Sequence, residues 1–241
     1  RYDWTSGTSY DEYAHDYSAS NTSPATSSNN LYDSRFFVIT DEYNVYKCIR
    51  TGRDSSGAVV VSDVKPTGTS PTSLVETADS NAASGRGYIW KYMYTISASE
   101  TIKFVTNDFI PVKTIGAQTE VDGTGSGGAI GSVATDDGSA QWDVENSAVD
   151  GGIHHVRVTN GGAGYQDGTH TGVSIVGDGS GATCEVVVAS GVITHVNVTA
   201  VGSGYKRASV DVSGISGIGS GSNGAIKPII SPFYGHGADP V

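Results

Sequence analysis

Two twelve-residue segments forty positions apart follow one pattern. Residues 154–165 read HHVRVTNGGAGY and residues 194–205 read THVNVTAVGSGY. Each leads through a short expected strand, Val173 to Val176 or Val210 to Val212, into a Gly/Ser turn closing on Gly-Ala. Those turns are residues 177–182 (GDGSGA) and 217–225 (GIGSGSNGA), and residues 123–130 (GTGSGGAI) form an earlier partial copy. Self-similarity at a period near 40 residues means a fold built from repeated supersecondary units. The copies are expected at about 153–190 and 193–230. Val156 and Val158, like Val196 and Val198, alternate with Arg157 and Asn197, which is the period of a strand. Gly164-Tyr165 and Gly204-Tyr205 occupy the same repeat position. They are expected to be structural residues, the glycine permitting a turn and the ring lying over the sheet end. Two and a half copies are too few to close a propeller. The expectation is a mainly β protein, sandwich-like or barrel-like with long loops, its C-terminal half made of tandem Gly-rich repeats.

The rest of the chain has a different chemistry. Residues 1–115 contain ten of the thirteen tyrosines and six of the 33 glycines. A boundary is therefore expected near Ile115 to Asp122, between an aromatic-rich β domain (1–115) and a Gly-rich repeat domain (116–241). Within the first, residues 18–30 and 64–86 are rich in Ser, Thr, Asn and Pro and read as long loops. Residues 36–40 and 44–50, joined by Asp41-Glu42-Tyr43, read as a β-hairpin. Residues 88–96 (YIWKYMYTI) suit a strand packed on one or both faces. Ser97 or Ser99 could cap a short helical turn up to Phe104, with Glu100 in its first turn.

Composition removes several functions. With 25 acidic and 14 basic side chains the net charge is −11, and no Lys/Arg run offers the clustered cations that nucleic acid requires. No apolar run approaches the roughly 20 residues that span a bilayer. Cys48 and Cys184, 136 positions apart, suit buried reduced thiols in a reducing cytoplasm. The chain opens on Arg1, holds one methionine, Met93, and stops at Val241, which reads as a piece of a longer protein.

Chemistry-bearing motifs are scarce. His155 and His195 share a repeat position and read as packing residues; His154, His170, His15 and His236 complete no zinc spacing. Asp136-Asp137-Gly138 and Asp178-Gly179 resemble pieces of calcium loops but lack the full spacing, and Asp-Gly is itself a turn signal. The Gly-Ser-Gly runs lack a nucleophile elbow and no phosphate loop is present. Neither a catalytic residue nor a cofactor or metal site is expected, so the protein reads as a non-enzyme. Trp4, Tyr10, Tyr13, Tyr17 and Trp142 could stack on sugars, which keeps a glycan-binding module open as the alternative.

Four segments together resemble a known family. Residues 1–4 (RYDW), 44–49 (NVYKCI), 85–96 (GRGYIWKYMYTI) and 104–112 (FVTNDFIPV) match, in order and approximate spacing, the baseplate wedge subunit number eight of T4-like contractile-tailed bacteriophages. The second half is closer to marine cyanophage versions, where Gly-Tyr repeats precede a segment like residues 231–241 (SPFYGHGADPV). The resemblance implies a structural virion protein without catalytic residues, assembled in the bacterial host cytoplasm, paired as a homodimer in each wedge and contacting other wedge proteins. It also implies no nucleic-acid or membrane partner. Trp4, Tyr88, Trp90, Tyr92 and Tyr94 are the aromatic residues expected to contribute partner contacts, since tyrosine brings apolar area and a hydrogen bond at low entropic cost.

Overall fold

The computed structural model describes residues 1–112 and 138–239. It is mainly β, with eleven strands and two seven-residue α-helices among the described residues. The chain divides into two compact units, one of Arg1–Arg53, Val59–Val149 and Tyr234–Val241, the other of Asp54–Ala58 and Asp150–Phe233.

In the first unit, β1 (Phe37–Ile39) and β2 (Asn44–Arg50) form the expected hairpin, with Val38 opposite Tyr46. Tyr43 closes the turn at φ 63°, and its N–H donates to the Thr40 carbonyl at 2.9 Å. The strands β3 (Val75–Glu76) and β4 (Ile89–Thr95) complete an antiparallel sheet ordered β1-β2-β4-β3. Both faces of β2 and β4 are covered, which is why their sequences are apolar and aromatic without polar alternation. Tyr46, Cys48, Trp90 and Tyr92 join Tyr10 and Tyr88 in one cluster; Val45, Met93 and Tyr94 join Ile39 and Ile96 in another. Helix α1 (Ala98–Phe104) begins at Ser97 with a reciprocal capping box to Glu100, as the residues lead one to expect.

Helix α2 (Ala140–Asn146), capped by Ser139, was not expected, and it packs against β4. Val144 joins the Trp90 and Tyr92 cluster. Residues 234–239 also return to the first unit, where Gly235 (φ 106°) lies so near Val149 that a Cβ would sit 2.5 Å from its backbone nitrogen and oxygen. The sequence boundary at 115–122 and the partial copy at 123–130 lie outside the described residues. The units change over between Val149 and Asp150 and again between Phe233 and Tyr234, so residues 138–149 and 234–239 group with the first unit and 150–233 with the second. Glycine content tracks turn density, whereas membership of a unit follows buried contacts such as that of Val144.

The second unit contains β5 (Ile153–Ala163), β6 (Gly168–Ser174), β7 (Val176–Gly177), β8 (Ser180–Ala189), β9 (Val192–Ser203), β10 (Ala208–Ser209) and β11 (Ser222–Ile230). Its sheets are ordered β6-β8-β9, β11-β5 and β10-β7. The two long ladders share one register. Cys184, Glu185, Val186, Val187 and Val188 on β8 face Val198, Asn197, Val196, His195 and Ile193 on β9. Ile226, Lys227, Pro228, Ile229 and Ile230 on β11 face Val158, Arg157, Val156, His155 and Ile153 on β5. Subtracting 40 from the β9 numbers and adding 42 to the β8 numbers turns the first ladder into the second. Both ladders slip at equivalent places, after Thr183 and Val187 in one and after Ala225 and Ile229 in the other. The closing strand of each copy thus pairs with the opening strand of the other. The copies differ between these strands: β6 pairs with β8, whereas the second copy has β10 and a 3-10 turn at Val212–Gly214. Asp211 caps that turn by accepting the Ser213 N–H at 2.9 Å, which replaces the strand expected at 210–212.

Candidate functional site

The aromatic residues expected at a partner interface are mostly core residues. Tyr88 and Trp90 are fully buried, and Tyr92 and Tyr94 nearly so. The rings of Tyr88 and Trp90 stack at 5.6 Å with 17° between planes, and Tyr10 meets both edge-on. Trp4 is half-buried, its indole N–H donating to Ser62 Oγ at 3.1 Å. A strand covered on both faces spends its aromatic area inside its own unit, and only Trp4 of the five retains appreciable surface. The rings expected to stack on sugars fare similarly: Tyr10 and Tyr13 are buried, and Tyr17 and Trp142 are half-buried. Burial pushes the Tyr13, Tyr46 and Tyr94 hydroxyls up to about 12.

Three buried carboxylates tie segments of the first unit together. Asp11 accepts from the Ser23 hydroxyl, from Thr26 Oγ1 at 2.8 Å and from the Arg35 N–H at 2.7 Å. Glu12 Oε2 accepts the Thr51 N–H and hydroxyl, both at 3.0 Å, with the Arg53 guanidinium at 4.0 Å. Asp79 accepts the Asp63, Val64 and Tyr88 N–H groups at 2.9, 3.1 and 3.1 Å and the Thr77 hydroxyl at 2.6 Å. A buried charge persists only when hydrogen-bonded, and here most donors are backbone amides and hydroxyls. Asp11 therefore ties the 18–30 loop to the amino-terminal segment, and Asp79, itself within the 64–86 loop, ties that loop's two ends together.

With the aromatic face internal, the exposed apolar surface lies elsewhere. Helix α1 buries none of its residues; Ile102 is 87%, Phe104 57% and, just beyond, Phe109 73% exposed. Phe104, Pro111 and Val112 line a groove of about 200 Å³ with Tyr94, Ile96 and Glu100. The Arg1 side chain reaches the Thr106 carbonyl at 2.9 Å, so the amino-terminal segment braces this turn. The available signal is two large apolar residues, Ile102 and Phe104, on a capped helix too short to make a buried face, followed by Phe109. A second cavity of about 370 Å³ is lined by Glu76, Asp79, Ser84 and Gly85, and Arg50 bridges Glu76 and the carbonyls of Gly85 and Gly87.

In the second unit the repeat residues act as structural clasps. Gly164 and Gly204 adopt φ 76° and 75°, a region that only glycine enters cheaply. Tyr165 and Tyr205 are buried behind them. A Cβ on Gly221 would lie 2.2 Å from the Tyr165 ring and one on Gly179 2.5 Å from the Tyr205 ring, so each ring is roofed by the glycine turn of the other copy. His155 and His195 are both buried at matching positions. His195 Nε2 lies 2.6 Å from Asn197 Oδ1, and the Asn197 amide donates to Glu185 at 2.9 Å. At the equivalent positions of the other ladder stand His155, Arg157 and Lys227.

Among the described residues no group of three or more His, Cys, Asp and Glu is placed to hold an ion. Asp178 accepts the Lys206 and Arg207 N–H groups at 2.8 and 2.9 Å, which lowers its pKa and uses the carboxylate as a turn tie. Asp136 and Asp137 lie outside the described residues. The Cys48 and Cys184 thiols are free and buried, and burial raises Cys184 to about 11. No helix among the described residues is long and apolar enough to cross a membrane. Fold and surface together define a mainly β protein with a loop-braced aromatic unit and an interlocked glycine-rich unit. No family model, curated protein or solved structure matches the chain.

Proposed function

We propose that the protein is a structural component of a virion, a contractile-tail baseplate wedge subunit of the cyanophage type that works through protein–protein contacts. The observation that carries this reading is the exposure of three large apolar side chains, Ile102, Phe104 and Phe109, on a unit whose loops are pinned by buried carboxylates. A rigid scaffold presenting large apolar side chains to solvent is what an assembly surface needs. The four segments resembling the wedge subunit all fall in this first unit, which adds support. In this reading the chain pairs with a second copy, contacts neighbouring wedge proteins, binds no nucleic acid or membrane, and performs no catalysis. It is incorporated in the bacterial cytoplasm and resides in the tail baseplate.

The test is co-assembly of the purified chain with the other wedge proteins, followed by sedimentation and by light scattering of the chain alone. Replacing Ile102, Phe104 and Phe109 with serine should leave a folded chain that no longer enters the wedge. Full incorporation of the triple variant would sink the proposal. The glycan-binding alternative has lost two of its five aromatic platforms, Tyr10 and Tyr13, to the core; binding of a host-surface glycan, abolished by substitutions around Glu76 and Ser84, would revive it.

A further inference from the structure

The sheet of the first unit buries two lysines side by side. Lys47 on β2 and Lys91 on β4 are direct cross-strand partners, and only 4% and 5% of their surfaces reach solvent. Like charges facing each other across a ladder destabilise it, and an ammonium removed from water costs more still unless it is compensated. The Lys47 ammonium sits inside three rings, 4.4 Å from the centroid of Tyr13, 5.3 Å from Phe37 and 5.7 Å from Phe36. Lys91 Nζ donates to the Pro71 carbonyl at 2.9 Å.

Residues 234–239 lie over this pair. The His236 ring packs edge-on against Tyr13 at 5.0 Å, on the ring that contacts Lys47. Gly237, at φ 100°, is so close that a Cβ would be 2.8 Å from Lys91 Cε and from Val144 of α2. His236 and Ala238 are each 3% exposed. The titratable and charged groups around the pair are Tyr13 from the amino-terminal loop, each lysine for the other, and His236 and Asp239 from the covering segment. Loop 64–86 contributes the Pro71 carbonyl, α2 contributes Val144, and β1 with its preceding residue contributes Phe37 and Phe36.

We infer that residues 234–239 form a proton-controlled strap, seated on the sheet while Lys47 and Lys91 are neutral and lifted as the two lysines take up protons. Burial pulls Lys47 down to about 7, opposed by Asp239 and reinforced by Lys91, and burial pulls Lys91 down to about 8. The sign follows from linkage: the covered state binds protons more weakly than an open state in which water reaches the amines, so falling pH favours opening. Asp239 works against this by attracting the Lys47 ammonium, but its effect is smaller than that of burial. The aromatic box around Lys47 softens the penalty without removing it.

Amide hydrogen exchange of the whole chain, followed by mass spectrometry between pH 6 and pH 9 and corrected for intrinsic rates, tests this. Protection of residues 234–239 should fall about tenfold or more from pH 9 to pH 6, while β2 and β4 stay protected. In the Lys47→Met/Lys91→Met variant that dependence should vanish; if the double variant does not fold, Lys47→Met alone should reduce it by at least half. His236→Gln should leave it in place. Constant protection in the parent chain, an undiminished dependence in the methionine variants, or its loss in His236→Gln alone would each overturn the strap.

Discussion

Tyr165 and Tyr205 each hold down the other's repeat. The Tyr165 N–H donates to the Gly191 carbonyl at 3.0 Å and the Tyr205 N–H to the Gly151 carbonyl at 3.3 Å, and these two glycines are again forty positions apart. The Tyr165 hydroxyl accepts the Gly224 N–H at 2.9 Å, and the Tyr205 hydroxyl accepts the Ala182 N–H at 3.3 Å. With the shared ladder register, this makes the two copies halves of one core and neither a free-standing module. A core residue set running from Ile153 through Cys184 and Val196 to Ile226 spans both.

Tyr165→Phe should therefore cost about 1 kcal/mol, the net worth of one hydrogen bond. Gly221→Ala should cost about 2 kcal/mol or more, because its methyl group would overlap the ring and overpacking forces the backbone to shift. Urea denaturation of each variant measures both. A single shifted transition is expected for the second unit; two separate transitions for the two repeats would contradict the shared core.

The pH dependence of stability has an unusual sign near neutrality. Lys47 and Lys91 titrate at about 7 and about 8 in the folded chain against 10.5 for an unburied lysine. Between those values the unfolded chain binds protons that the folded chain does not, so unfolding free energy rises with pH. The slope reaches up to about 1.4 kcal/mol per pH unit for each such group. Tyr13, Tyr46 and Tyr94, raised to about 12, act oppositely above pH 10 because the folded chain retains their protons. Maximum stability is expected at about pH 10, and urea midpoints at pH 6, 8, 10 and 11.5 would reveal it. A maximum at pH 6 would refute the assignment.

Asp79→Ala should leave three backbone amides and the Thr77 hydroxyl without their acceptor. Stranded buried donors cost about 1–3 kcal/mol each before relaxation, so a loss of about 3 kcal/mol is expected. Thermal unfolding measures the loss, and proteolysis should find the 64–86 loop more readily cut. An unchanged midpoint would mean that water replaces the carboxylate.

The surface variants should behave differently from these. Ile102→Ser, Phe104→Ser and Phe109→Ser lie at exposed positions, and substitutions of that kind usually change stability by less than about 0.5 kcal/mol. Calorimetry on the triple variant checks that any loss of assembly reflects the surface and not the fold.

The sequence by itself determined the local elements. The β1–β2 hairpin, β4 and the Ser97 cap of α1 follow from residues a few positions apart, where period, turn chemistry and capping act without help from distant chain. The forty-residue pattern likewise marked Gly164, Tyr165, Gly204 and Tyr205 as structural, because a repeat duplicates its packing residues. What pairs with what was decided only by tertiary structure. The ladder of β11 on β5 joins strands about seventy positions apart, and no local signal says that each copy closes on the other. The same holds for the placement of Tyr88, Trp90, Tyr92 and Tyr94: an aromatic strand is equally suited to a surface or a core until a second layer covers it. Here Tyr10, Val60 and Val144 supply that layer on one face. Burial of that kind is a property of contacts between distant segments, and it moved the candidate assembly surface from the aromatic strand to the exposed side of α1.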